Sequence, residues 1–150
     1  MHYNELMKKV LILIFSMFIS LSSYSEETTI LNCIYFELMT YDPIDSEKLT
    51  DGSLSTSLEI FPESKNVLFD SSIMHFNRKA NYVEKGNSIA WSTWTKIAIS
   101  ATETSEFRDE FLLNRNSGIL RWTTHVQKPG EEFKTISTLT ANCKKTEPLF

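Results

Sequence analysis

Glycine, proline and cysteine are scarce in this chain, and their placement says more than their number. There are four glycines, four prolines and two cysteines among 150 residues. All four glycines fall at breaks between apolar runs: Asp51-Gly52, Lys85-Gly86-Asn87, Ser117-Gly118 and Pro129-Gly130. Pro43, Pro62 and Pro129 do the same, and Pro148 marks the tail. Turn residues confined to such breaks are the punctuation of an antiparallel meander. No amphipathic helix of respectable length, internal repeat or linker interrupts it.

Other absences exclude whole classes of function. The formal net charge is −4 and no Lys/Arg stripe runs along the chain, so it lacks the electrostatic footprint of a nucleic-acid binder. Cys33 and Cys143 do not form a Cys-x-x-Cys pair, which argues against a reactive thiol couple. Beyond the N-terminal His2, only His75 and His125 remain, and no Cys or carboxylate stands at ligand spacing from them; no metal site and no cofactor are expected. No serine sits in a Gly-x-Ser-x-Gly elbow. Asp109 and Glu110 point to opposite faces of a strand and so cannot act together as a glycosidase pair. The chain is not expected to be an enzyme.

Residues 1–25 have the anatomy of a cleaved signal peptide. Lys8 and Lys9 form a basic start, Val10 to Leu21 is a nearly unbroken apolar run, and Ser23-Tyr24-Ser25 presents small residues to a signal peptidase. The run is well short of the roughly 20 residues that cross a bilayer. Met7-Lys8-Lys9 would itself be a normal signal-peptide start, so Met7 competes with Met1 as the true one. Cys33 lies too far beyond the run for lipid attachment. Residues 26–150 are then one exported domain, periplasmic or secreted, with no stable membrane span. In an oxidising compartment two cysteines are most simply one disulfide. Closing a loop of roughly 110 residues should stabilise by about 4–5 kcal/mol on the chain-entropy account.

The apolar runs alternate with period two. Thr28–Met39 reads as a first strand, and Leu54, Thr56, Leu58 and Ile60 alternate with Ser55, Ser57 and Glu59 in a second. Val67–Phe69 follows, with Met74–Phe76 as its continuation or a separate piece. Ala80–Glu84 leads into Ile89–Ala101, with Ile89, Trp91, Ile97 and Ile99 on one side. The last strand, Glu132–Lys144, puts Phe133, Leu139, Ala141 and Cys143 on a shared face. Residues 40–52 have room for one short helical turn. Between two such runs, Asn116-Ser117-Gly118 marks a hairpin. An even loop pairing Arg115 with Leu120 gathers Phe107, Phe111, Leu113, Leu120, Trp122 and Val126 on one face, whereas an odd loop scatters them. That register also puts Asp109 on the apolar face, where Arg115 or water at a rim would have to satisfy it.

The expected fold is all-β: an antiparallel up-and-down meander of about eight strands forming a small barrel or curled sheet, with a two-sheet sandwich as the alternative. A bond between first and last strands fits closure, because it sets the two edges side by side. Trp94 points away from Ile89, Trp91 and Ile97, among Ala90, Ser92, Lys96 and Ala98. A large aromatic on a small, polar face is a candidate contact for a partner or ligand; the alternative is that a loop or the 40–52 segment covers it. Arg121, Trp122 and His125, on one hairpin arm, form a second candidate.

Asn114-Arg115-Asn116-Ser117-Gly118-Ile119-Leu120, Leu31-Asn32-Cys33 and Asn142-Cys143-Lys144-Lys145 together resemble a loose group of small exported bacterial proteins. In these an Arg-x-Ser/Thr-Gly-x-Leu turn precedes a terminal Cys-x-Lys; the likeness implies no activity. A second resemblance is to periplasmic lysozyme inhibitors of the MliC type, small barrels with disulfide-linked first and last strands and a Ser-Gly-x-x-Tyr loop. It implies inhibitory roles for Ser117 and Lys128, although the aromatic here, Trp122, stands one place late. The expected function is therefore that of an exported, non-enzymatic cell-envelope protein binding an unknown protein or small ligand. The alternatives are a lipocalin-like carrier of a small apolar ligand, or a lysozyme inhibitor. An empty interior of several hundred Å³ would mark the carrier.

Overall fold

A computed structural model describes residues 27–49, 52, 54–71 and 77–146. The expected signal peptide, Met74–Phe76 with His75, and Pro148 lie outside the described residues. The described chain is an all-β, antiparallel sheet of ten strands curled into a nearly closed barrel. These are β1 (Thr29–Tyr41), β2 (Ile44–Lys48), β3 (Ser55–Phe61), β4 (Asn66–Ser71), β5 (Asn77–Asn81), β6 (Val83–Lys85), β7 (Ser88–Ala98), β8 (Thr104–Asn114), β9 (Ile119–Gln127) and β10 (Lys134–Lys145).

The ten segments fill eight positions around the wall. The order β5-β4-β3-β1-β10-β9-β8-β7-β6 is a meander in which the first and last strands are neighbours. β5 and β6 share one position: the chain bends at the buried Tyr82, leaving β4 and joining β7. β2 shares the position of β3: it folds back on the second half of β1, along the edge that β3 pairs over the first half. Below Tyr82, β5 and β7 part company. There Arg78 bridges the gap, donating to Thr93 Oγ1 at 3.0 Å and to Thr95 Oγ1.

Cys33 lies directly opposite Cys143 in the β1–β10 ladder. Their Cα atoms are 3.9 Å apart and the sulfurs are bonded. The Cys143 N–H donates to Gly118 O at 2.8 Å, on the β9 side, so the two cysteines occupy a non-hydrogen-bonded pair, where antiparallel side chains approach most closely. The closure expected from the sequence is thus realised.

Inside, equal register on successive strands stacks bulky residues at one height. Trp91, Phe111, Trp122 and Leu139 are consecutive cross-strand partners. Ring centroids are 5.0 Å apart for Trp91–Phe111 and 5.2 Å for Phe111–Trp122, and Phe69 reaches Phe111 from across the barrel at 4.9 Å. Each aromatic contact adds about 0.5–1.5 kcal/mol beyond its burial. This layer plugs the middle of the barrel. Above it, toward the disulfide, lie Ile89, Leu113, Leu120 and Cys33.

Three local expectations are corrected, and one is qualified. Residues 44–48 form a strand and not a helical turn: beyond Phe36 the β1 edge is unpaired by β3, and β2 supplies the missing ladder, with Thr40 Oγ1 donating to Pro43 O at 3.1 Å. The hairpin keeps the even parity, so all six apolar side chains share the inner face, but the ladder closes at Leu113 facing Leu120, and Asn114 O accepts the Gly118 N–H at 2.9 Å. Asn114 sets that end by accepting the N–H groups of Asn116 and Ser117, each at 3.0 Å. A bulge between Thr135 and Ser137 reverses the parity of the start of β10, so Phe133 leaves the core face that Leu139, Ala141 and Cys143 share. Ile97 and Ile99 keep the parity of Trp91 but run past the covered wall and are exposed.

Asp109 lies on the inner face and is 2% exposed. A buried carboxylate without partners would be strongly destabilising. Its Oδ1 accepts Trp122 Nε1–H at 3.0 Å and the Thr124 hydroxyl at 2.8 Å. Arg115, the partner expected for it, donates instead to Gly86 O at 2.9 Å.

Candidate functional site on the outer face

The register that stacks the core also builds a row outside it. Trp94, Arg108, His125 and Thr135 are successive cross-strand partners on β7, β8, β9 and β10. All face outward, because each alternates with an inward residue of the core. Trp94 is 56% exposed. The described residues of the 40–52 segment lie along β1 and do not cover it; Phe133, turned outward by the β10 bulge, meets its ring edge-on at 5.5 Å. The Arg108 guanidinium lies 5.5 Å from the Trp94 ring centroid and 5.6 Å from that of Phe133. A planar cation held between two aromatic faces is attracted by their quadrupoles and presents a rigid, partly apolar surface.

Polar contacts fix the rest of the row. Arg108 forms an ion pair with Glu110. His125 Nδ1 is 3.0 Å from Thr135 Oγ1, while its Nε2 lies 3.4 Å from Glu110 Oε2, without hydrogen-bond alignment. Lys96 pairs with Glu106 at 2.6 Å on the same face. The next rows continue through Ser92–Glu110–Thr123 to Ala90–Leu112–Arg121. A groove of about 430 Å³ runs there, lined among others by Val83, Ser92, Glu110, Leu112 and Arg121.

Trp94 and His125 are thus brought together through Arg108. Arg121 shares their face, two rows away at the far end of the groove. Trp122 is removed from the surface candidates: it is 3% exposed and belongs to the aromatic plug. Arg108 and Phe133 were not legible as site residues. Arg108 becomes visible only when the β7–β8 register is known, and Phe133 depends on a bulge that carries no glycine to announce it.

The Ser117 and Lys128 implied by the lysozyme-inhibitor resemblance flank opposite ends of β9. At about 3.3 Å per residue they stand roughly 30 Å apart along the strand. Among the described residues, no three His, Cys, Asp or Glu side chains group as metal ligands. Compared with known proteins, the chain matches no family model, no curated protein and no solved structure.

Proposed function

We propose that this chain is an exported, non-enzymatic binding protein of the cell envelope that engages its partner through the outer face of β7–β9, centred on Trp94. The observation that carries this reading is the exposed Trp94, propped edge-on by Phe133 and backed by Arg108 beside an open groove. Trp and Arg are enriched among the side chains that anchor interfaces. Here both are pre-positioned on rigid strands, which lowers the ordering cost of binding. The Cys33–Cys143 bond is compatible with an oxidising compartment. No helix among the described residues is long and apolar enough to cross a membrane. A carrier that threads a ligand through the whole barrel is less well supported, because Trp91, Phe111 and Trp122 fill its middle.

In-cell photo-crosslinking tests the reading. A photoreactive amino acid replacing Ser92 should yield a discrete adduct that disappears with Trp94→Ala. The same group replacing Glu47, on β2 across the ring from β7, should yield none. Adducts of equal strength from both positions, or none from Ser92, would remove the outer face as the contact.

A further inference from the structure

The disulfide end of the barrel is hollow. A cavity of about 570 Å³ opens there, within the 300–1,000 Å³ range of small-molecule sites. Its walls and floor are apolar, formed by Leu31, Ile60, Tyr82, Ile89 and Leu113, with Cys143 at one side. Its rim is polar and, among the described residues, carries the cations Arg115 and Lys145 against one lining carboxylate, Glu84. In a chain of net charge −4, that is a local excess of positive charge over an apolar well. The well is short. The Trp91–Phe111–Trp122 plug lies two residues below the Ile89–Leu113–Leu120 layer, about 7 Å along the strands.

We infer that this cup binds a small amphipathic anion: a compact apolar body, a short chain or single ring, inserted toward Leu113, with its carboxylate or equivalent head at the Arg115–Lys145 rim. The apolar walls favour the body by removing it from water, and the cations favour an anionic over a cationic head. A long chain does not fit, because the plug closes the barrel beneath the cup. The rim is held in place by the turn itself. Arg115 is anchored on Gly86 O, and Gly118 is hydrogen-bonded to Cys143. The cup is therefore a preformed site, and it is independent of the Trp94 face.

Calorimetric titration of the disulfide-bonded domain with octanoate, octanol and octylammonium tests this. Octanoate should bind saturably, with a Kd at least tenfold below that of octylammonium and below that of octanol. Ile60→Trp, which fills the well, and Lys145→Glu, which reverses the rim, should each weaken octanoate at least tenfold, while Ile44→Ser on β2 should not. Methyl NMR gives a readout that does not depend on a variant folding: octanoate should shift Leu31 and Ile60 and leave Ile44 unmoved. No saturable binding, a preference for octylammonium, or unshifted Leu31 and Ile60 methyls would overturn the inference. So would binding lost with Trp94→Ala but retained with Ile60→Trp, an outcome that would leave the outer-face reading standing.

Discussion

Gly118 lies against the carbonyl of Cys143 so closely that a Cβ built on it would stand 2.6 Å from that oxygen. The Cys143 N–H also donates to Gly118 O at 2.8 Å. The hairpin tip and the disulfide are therefore one structural unit, and the turn motif and the terminal cysteine motif constrain each other. Gly118 also has φ +69, in the left-handed region that other residues reach only with strain. Gly118→Ala should destabilise by about 3 kcal/mol or more in urea denaturation, from strain and overlap together. Gly86 has a similar φ of +58 but nothing within 4 Å of its would-be Cβ. Gly86→Ala should destabilise by only about 1 kcal/mol. Equal losses at the two sites would show that the contact with Cys143 carries no weight.

Trp94 and Trp122 should separate sharply. Trp94→Ala removes an exposed ring and should change stability by less than about 1 kcal/mol. Trp122→Ala opens the aromatic plug and strips Asp109 of a donor, so about 3–5 kcal/mol should be lost. Equilibrium unfolding followed by far-UV circular dichroism reads both. A loss of about 3 kcal/mol for Trp94→Ala would place that ring in the core and out of the binding face.

Much of this architecture is legible in the chain, and the parts that are not share a cause. Period-two alternation and the placement of glycine and proline give the strands. The two cysteines give the closure, and the parity of the hairpin gives the inner face and the outward Trp94. Alternation fails where a strand slips by one residue. The bulges after Tyr35 and Thr135 carry no glycine, so the exposure of Phe36 and the outward turn of Phe133 leave no local mark. The 44–48 segment is polar and has no strand pattern of its own; it is a strand because the β1 edge beside it needs a partner. Asp109 reads as an anomaly until the register shows Trp122 and Thr124 beside it.

That register yields a prediction for Asp109. Its Oδ1 is the acceptor for both Trp122 Nε1 and Thr124 Oγ1. Asp109→Asn retains a carbonyl acceptor, whereas Asp109→Leu leaves the indole N–H buried without one. The leucine variant should therefore be less stable than the asparagine variant by about 1–3 kcal/mol. Matched denaturation curves with leucine equal to or above asparagine would show that apolar packing outweighs the hydrogen bonds.

Tyr35 offers a pH dependence. Burial lifts its phenol pKa well above the usual 10; the nearby Thr56 opposes the shift and the Asp109 carboxylate adds to it. The folded state then keeps the proton after the unfolded chain has lost it. Below pH 10 this group is protonated in both states and its stabilising contribution is fully present. Above that pH stability should fall, by up to about 1.4 kcal/mol per unit for this group alone. Among the described residues the Tyr35 hydroxyl makes no well-aligned hydrogen bond, its contact with Thr56 included, so Tyr35→Phe should be within about 1 kcal/mol of the parent at neutral pH and should lack this alkaline loss. Parallel slopes for parent and variant above pH 10 would contradict it.

Export with trimming and closure by one disulfide make a single joint prediction. Intact-mass spectrometry of protein from the cell-envelope fraction reads both features in one spectrum, before and after alkylation without reductant. The predicted species begins at Glu26 and takes up no alkylating agent, because Cys33 and Cys143 are bonded. A cytoplasmic species that begins at Met1 or Met7 and carries two alkylated thiols would contradict it.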